Sequence, residues 1–134
     1  MNITEDYVSF EVAKLLKEKG FEGDIHAYYH IWDNGNKVCS VQEYSHSEAP
    51  HLYIPAPTHQ MVMKWLREEY KIAINIRIAC KKTISYIFDI WDFEIIHPNE
   101  FVGGTIDLRE QQFDFKSYEE AVEAALKYSL ENLI

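Results

Sequence analysis

The sequence predicts an α+β fold: three helices packed on an antiparallel sheet of about four to six strands, in the order α-β-β-α-β-β-(β)-α. Three observations carry this reading. Apolar residues recur at helical spacing near both ends and in the middle of the chain. Asn34-Gly35 separates two strand-like runs and supplies the positive-φ positions of a tight hairpin turn. The runs IAINIRIAC and TISYIFDIW alternate apolar and polar residues with the two-residue period of a half-buried strand.

The first helix is expected over Glu5 to Lys19, capped by Thr4 and ended by Gly20. Val8, Val12, Leu15 and Leu16 share one face at about 100° per residue, whereas Phe10 falls on the opposite side with Tyr7, Lys14 and Lys17. Phe10 therefore lacks an evident place in the core. A two-residue turn at Asn34-Gly35 sets the register of the first hairpin, with Ile31 facing Val38, Tyr29 facing Ser40 and Ala27 facing Gln42. On the other side Trp32 faces Lys37, His30 faces Cys39, Tyr28 faces Val41 and His26 faces Glu43.

Residues 45–57 carry three prolines and no period, which predicts a loop containing a short edge strand at Leu52–Ile54. Thr58 is placed to cap the second helix, His59–Tyr70, whose buried face is Val62, Trp65, Leu66 and Tyr70. Ile72, Ile74, Ile76 and Ile78 then form one face of a strand, and Ile84, Tyr86, Phe88 and Ile90 form the matching face of the next. Pairing these faces requires opposing residue numbers to sum to 162 or 164, hence a connection of odd length, three to five residues, around Lys81 and Lys82, because a slip of one residue would turn Ile74 toward Asp89. The second strand also carries Ile87, Trp91, Phe93 and Ile95 on its other face, so that face is either covered or an interface. Thr105–Leu108 and Gln112–Phe115 are short strand candidates. Ser117 with Glu120 makes a capping box for the last helix, which is expected to pack Tyr118, Ala121, Val122, Ala125, Leu126, Ser129 and Leu133.

With 134 residues, 47% of them apolar, the chain is long enough for a single domain, 1–134, whose core needs neither disulfide nor metal. Cys39 and Cys80 lack CxxC spacing, and MNITEDYVSF lacks the basic and apolar regions of a secretion signal, so a soluble cytoplasmic protein with reduced thiols is expected. The apolar runs are broken at every second residue, which excludes a membrane helix. A net charge of -9 argues against direct binding to nucleic acid or anionic lipid. The charge is uneven: residues 1–88 hold 11 acids and 10 bases, whereas residues 89–134 hold 11 acids against Arg109, Lys116 and Lys127.

Three stretches, TEDYVSFEVAKLLKEKGF, IPAPTHQMVMKWLREEYKI and FKSYEEAVEAALKYSLENLI, resemble a family of short proteins from gut anaerobic bacteria and their phages and mobile elements. The resemblance covers a third to a half of the chain. It implies a small, cytoplasmic, phage-associated or horizontally mobile protein, and it brings no catalytic residues with it. The closing SYEEAVEAALKY is also similar to the last helix of the antitoxin-like HicB fold, although the strand order before it differs.

No nucleophile, metal or phosphate-loop frame is present: HExxH, GxSxG, paired CxxC and the glycine-rich loop motifs are all absent. His26 and His30 have HxxxH spacing, but on a strand they stand about 13 Å apart, too far to share a zinc ion through bonds of about 2.0–2.1 Å. Neither catalytic, cofactor nor metal-binding residues are assigned, and no cofactor is expected. The aromatic residues Phe10, Tyr28, Trp32, Trp91 and Phe93 are candidate interface residues, because rings outside the core anchor protein contacts. The leading expectation is a non-enzymatic protein–protein interaction or regulatory protein, with a partner that is a second copy in a homodimer or a host or phage protein. One alternative is an acidic mimic of nucleic acid that occupies a DNA-binding partner through one continuous surface of the acids in residues 89–131. Another is a small ligand-binding or hydrolytic domain around His46, His51 and His59, where a histidine at a helix N-terminus is disfavoured in its charged form.

Overall fold

A computed structural model describes residues 1, 3, 5–31, 37–41, 53–80, 82, 84–92, 104–105 and 115–134. Its elements are α1 (Phe10–Glu18), β1 (Ala27–Ile31), β2 (Lys37–Val41), β3 (Tyr53–Pro55), α2 (His59–Tyr70), β4 (Ile72–Cys80), β5 (Ser85–Asp92), β6 (Gly104–Thr105) and α3 (Tyr118–Asn132). The fold is α+β. The six described strands form two three-stranded antiparallel sheets, β2-β1-β3 and β4-β5-β6, and the single sheet expected is not seen among the described residues. Periodicity reports which way a side chain faces and carries no information on which edges meet, so the division into two sheets had no sequence signal. The residues group into two units, 1–59 and 60–134.

In residues 1–59, the chain before α1 is extended and lies beside the segment that precedes α2. Tyr7 bridges Thr58, the Val8 N–H donates to Pro57 O at 3.0 Å, and the His59 N–H donates to Asp6 O at 2.9 Å. Helix α1 consequently starts five residues later than expected, capped by Ser9, whose Oγ accepts the Val12 N–H at 3.2 Å. Thr4 lies outside the described residues. Gly20 ends the helix as expected, in the left-handed conformation at φ +78°, while the Phe21 N–H reaches Leu16 O at 3.0 Å. Val8, Val12, Ala13 and Leu16 are buried, and Leu15 is half-buried.

Strand β1 lies between β2 and β3. Its register against β2 differs by one residue from the expected turn-defined pairing: Tyr29 stands opposite Cys39 and His30 opposite Val38. A central strand answers to neighbours on both edges and to the helix over its face, and here Tyr29 also pairs with Ile54 and reaches α1, so the turn alone does not set the pairing. The turn residues 32–36 lie outside the described residues. The short edge strand expected at Leu52–Ile54 is present as Tyr53–Pro55.

In residues 60–134, β4 and β5 pair with Ile74 opposite Ile90, Ile76 opposite Phe88 and Ile78 opposite Tyr86, which is one of the two registers that match the apolar faces. Four residues separate Cys80 from Ser85, an even number where an odd one was expected, because a register shift between Ile78 and Cys80 absorbs the extra position. Helix α3 covers this face. Phe88 and Ile90 are buried beneath it, and Ala121, Val122, Ala125, Leu126, Ser129 and Leu130 form its inner side. Leu130 takes the buried position expected of Leu133, and Tyr118 is 38% exposed. Residue 130 sits one turn beyond Leu126 on the inner side, whereas Leu133 is already the cap residue. The hydroxyl of buried Ser129 donates to Ala125 O at 2.8 Å, which satisfies it within the helix.

Helix α2 spans His59–Tyr70 as expected, with Val62, Met63 and Leu66 buried and Trp65 half-buried against Tyr70, edge to face at 5.1 Å. A single residue, Lys71 at φ 59°, turns the chain from α2 into β4. A left-handed side chain is costly where glycine would not be, and Lys71 regains only an exposed bond from Nζ to Glu68 O at 2.7 Å. Lys71→Gly is therefore expected to raise stability by about 0.5–1 kcal/mol in urea unfolding. Leu126→Ala, by contrast, is expected to cost about 2–5 kcal/mol in the same measurement.

Candidate functional site

Of the residues proposed from sequence as an interface, Phe10, Tyr28 and Trp91 are among the described residues. Phe10 packs edge to face on Tyr29 with ring centroids 5.5 Å apart, and Lys14 Nζ stands 5.8 Å from its ring, so the fold gives Phe10 a partner. Tyr29 in turn donates its hydroxyl to Val8 O at 2.6 Å, joining β1 to the segment that leads into α1. Tyr28 is buried, with its hydroxyl on Ile25 O at 3.0 Å, and offers no open surface. Trp91 is half-buried opposite Ala73, on the face of the second sheet that α3 does not cover. Trp32 and Phe93 lie outside the described residues.

The histidines do not assemble a reaction centre among the described residues. His26 is exposed, 3.6 Å from Asp24, and His30 stacks on Tyr53 with centroids 4.6 Å apart and rings 9° from parallel. His59 is buried at the start of α2. His46 and His51 lie outside the described residues, so the histidine loop is not placed. No group of three or more His, Cys, Asp or Glu side chains among the described residues is arranged to hold a metal ion.

The described acids of the last third divide between two sides of the sheet. Glu119, Glu120 and Glu131 are exposed on α3, while Asp89 projects from the opposite face and accepts from Arg77 Nε at 2.9 Å. Charges on opposite sides of a sheet cannot present a single phosphate-like row. Glu94, Glu100, Asp107, Glu110 and Asp114 lie outside the described residues, so the continuous acidic surface that a nucleic-acid mimic requires is not placed.

Two surfaces of residues 60–134 remain. The first is a groove of about 510 Å³ between α3 and the sheet, lined by Phe88, Phe115, Ala124, Lys127, Tyr128 and Glu131, with Asn132 at its end. The second is the tip of the β4–β5 hairpin, where Ile78 is 58% and Ile84 63% exposed and Tyr118 adds a third apolar side chain. These isoleucines were assigned to the core face by their phase. Their exposure follows from lengths: fifteen residues of helix reach about 22 Å, whereas nine residues of strand reach about 30 Å. Helix α3 begins at Tyr118, whose ring meets Tyr86 edge to face at 6.2 Å, and Tyr86 is the partner of Ile78. The helix thus stops where the hairpin tip continues.

Asn75 and Arg77 are exposed on the far face, and Lys82 is exposed in the turn. No family model, curated protein or solved structure compared with the chain matches it.

The Arg77–Asp89 pair lies at the surface, with the Arg77 side chain 52% exposed, where solvent screens it. A double-mutant cycle with Arg77→Ala and Asp89→Ala is expected to give a coupling below about 1 kcal/mol that shrinks as salt is raised.

Proposed function

We propose that this chain is a non-enzymatic protein-interaction protein that acts in the cytoplasm, of the kind that phages and mobile elements carry, and that it binds another protein through the hairpin tip of β4 and β5. The observation that carries this reading is the exposure of Ile78 and Ile84, at 58% and 63%, beside Tyr118. Single exposed apolar side chains are ordinary, but two branched aliphatics and an aromatic at one tip, beyond the reach of the covering helix, form a patch of the kind that protein partners cover. Three sequence stretches that resemble mobile-element proteins supply the biological setting.

The charge supports a protein partner over a nucleic acid. A net charge of -9 repels phosphate. No helix among the described residues is long and apolar enough to cross a membrane.

Ile78→Ser combined with Ile84→Ser tests the reading. Both side chains are mostly exposed, so the double variant is expected to keep the wild-type circular dichroism spectrum and to lose less than about 1 kcal/mol of stability. It is also expected to abolish both self-association in sedimentation and the set of proteins that the wild-type chain retains at native expression. A folded double variant that keeps every wild-type association would overturn the reading.

A further inference from the structure

We draw no further inference here: the strongest candidate, the groove between α3 and the sheet lined by Phe88, Phe115, Lys127 and Tyr128, carries nothing because nothing in the structure shows what covers it.

Discussion

The antiparallel ladder between β4 and β5 is the constraint on which residues 60–134 depend. One parity of residue does two things at once: Ile72, Ile74, Ile76 and Ile78 turn their side chains to the face under α3, and their partners Ile90, Phe88 and Tyr86 fall into the same phase. A shift of one position would turn Asp89 toward the buried inner side of α3 and put Phe88 on the other face, and the cost of burying an unpaired carboxylate excludes it. The register shift between Ile78 and Cys80 preserves this phase while the turn takes the length it needs. The same parity determines which backbone groups face β5 and which face outward.

In residues 1–59 the corresponding role falls to Tyr29. Its ring meets Phe10 of α1, its hydroxyl reaches Val8 O, and its backbone position stands opposite Ile54 and Cys39. One side chain thereby ties together the helix, the extended segment before it and the central strand. An edge-to-face ring pair of this kind contributes about 0.5–1.5 kcal/mol beyond the area it buries. It also explains why Phe10, polar-side by helical phase, is half-buried. Ser9 caps the helix, so Phe10 is its first residue, where the neighbouring strand still lies within reach.

The candidate surface was partly legible. Exposed aromatic residues were sought as anchors, yet the fold gives Phe10 a neighbour and buries Tyr28, while the most exposed large residues of the hairpin are Ile78 and Ile84. Phase assigned Ile78 to the correct face of the sheet, where it stands opposite Tyr86, whereas Ile84 lies in the turn before β5. It could not show that the face outruns its helix, because phase describes direction around an element and coverage depends on length along it. Lys71 was hidden for a related reason: nothing in its composition marks a lysine for the left-handed region, and the conformation is forced by a helix and a strand joined through one residue.

What the sequence determined by itself is local and periodic. The limits of α2, the capping of α3 by Ser117, the stop at Gly20 and the matching faces of β4 and β5 all follow from side-chain volume, polarity and φ preference over a few residues. Only the tertiary structure decided the start of α1, the register of β1 against β2, the division of six strands into two sheets and the exposure of the hairpin tip. Each of these depends on which edges meet and how far one layer extends over another. Such choices are made by residues distant in the chain, and a periodic pattern within one segment carries no record of them.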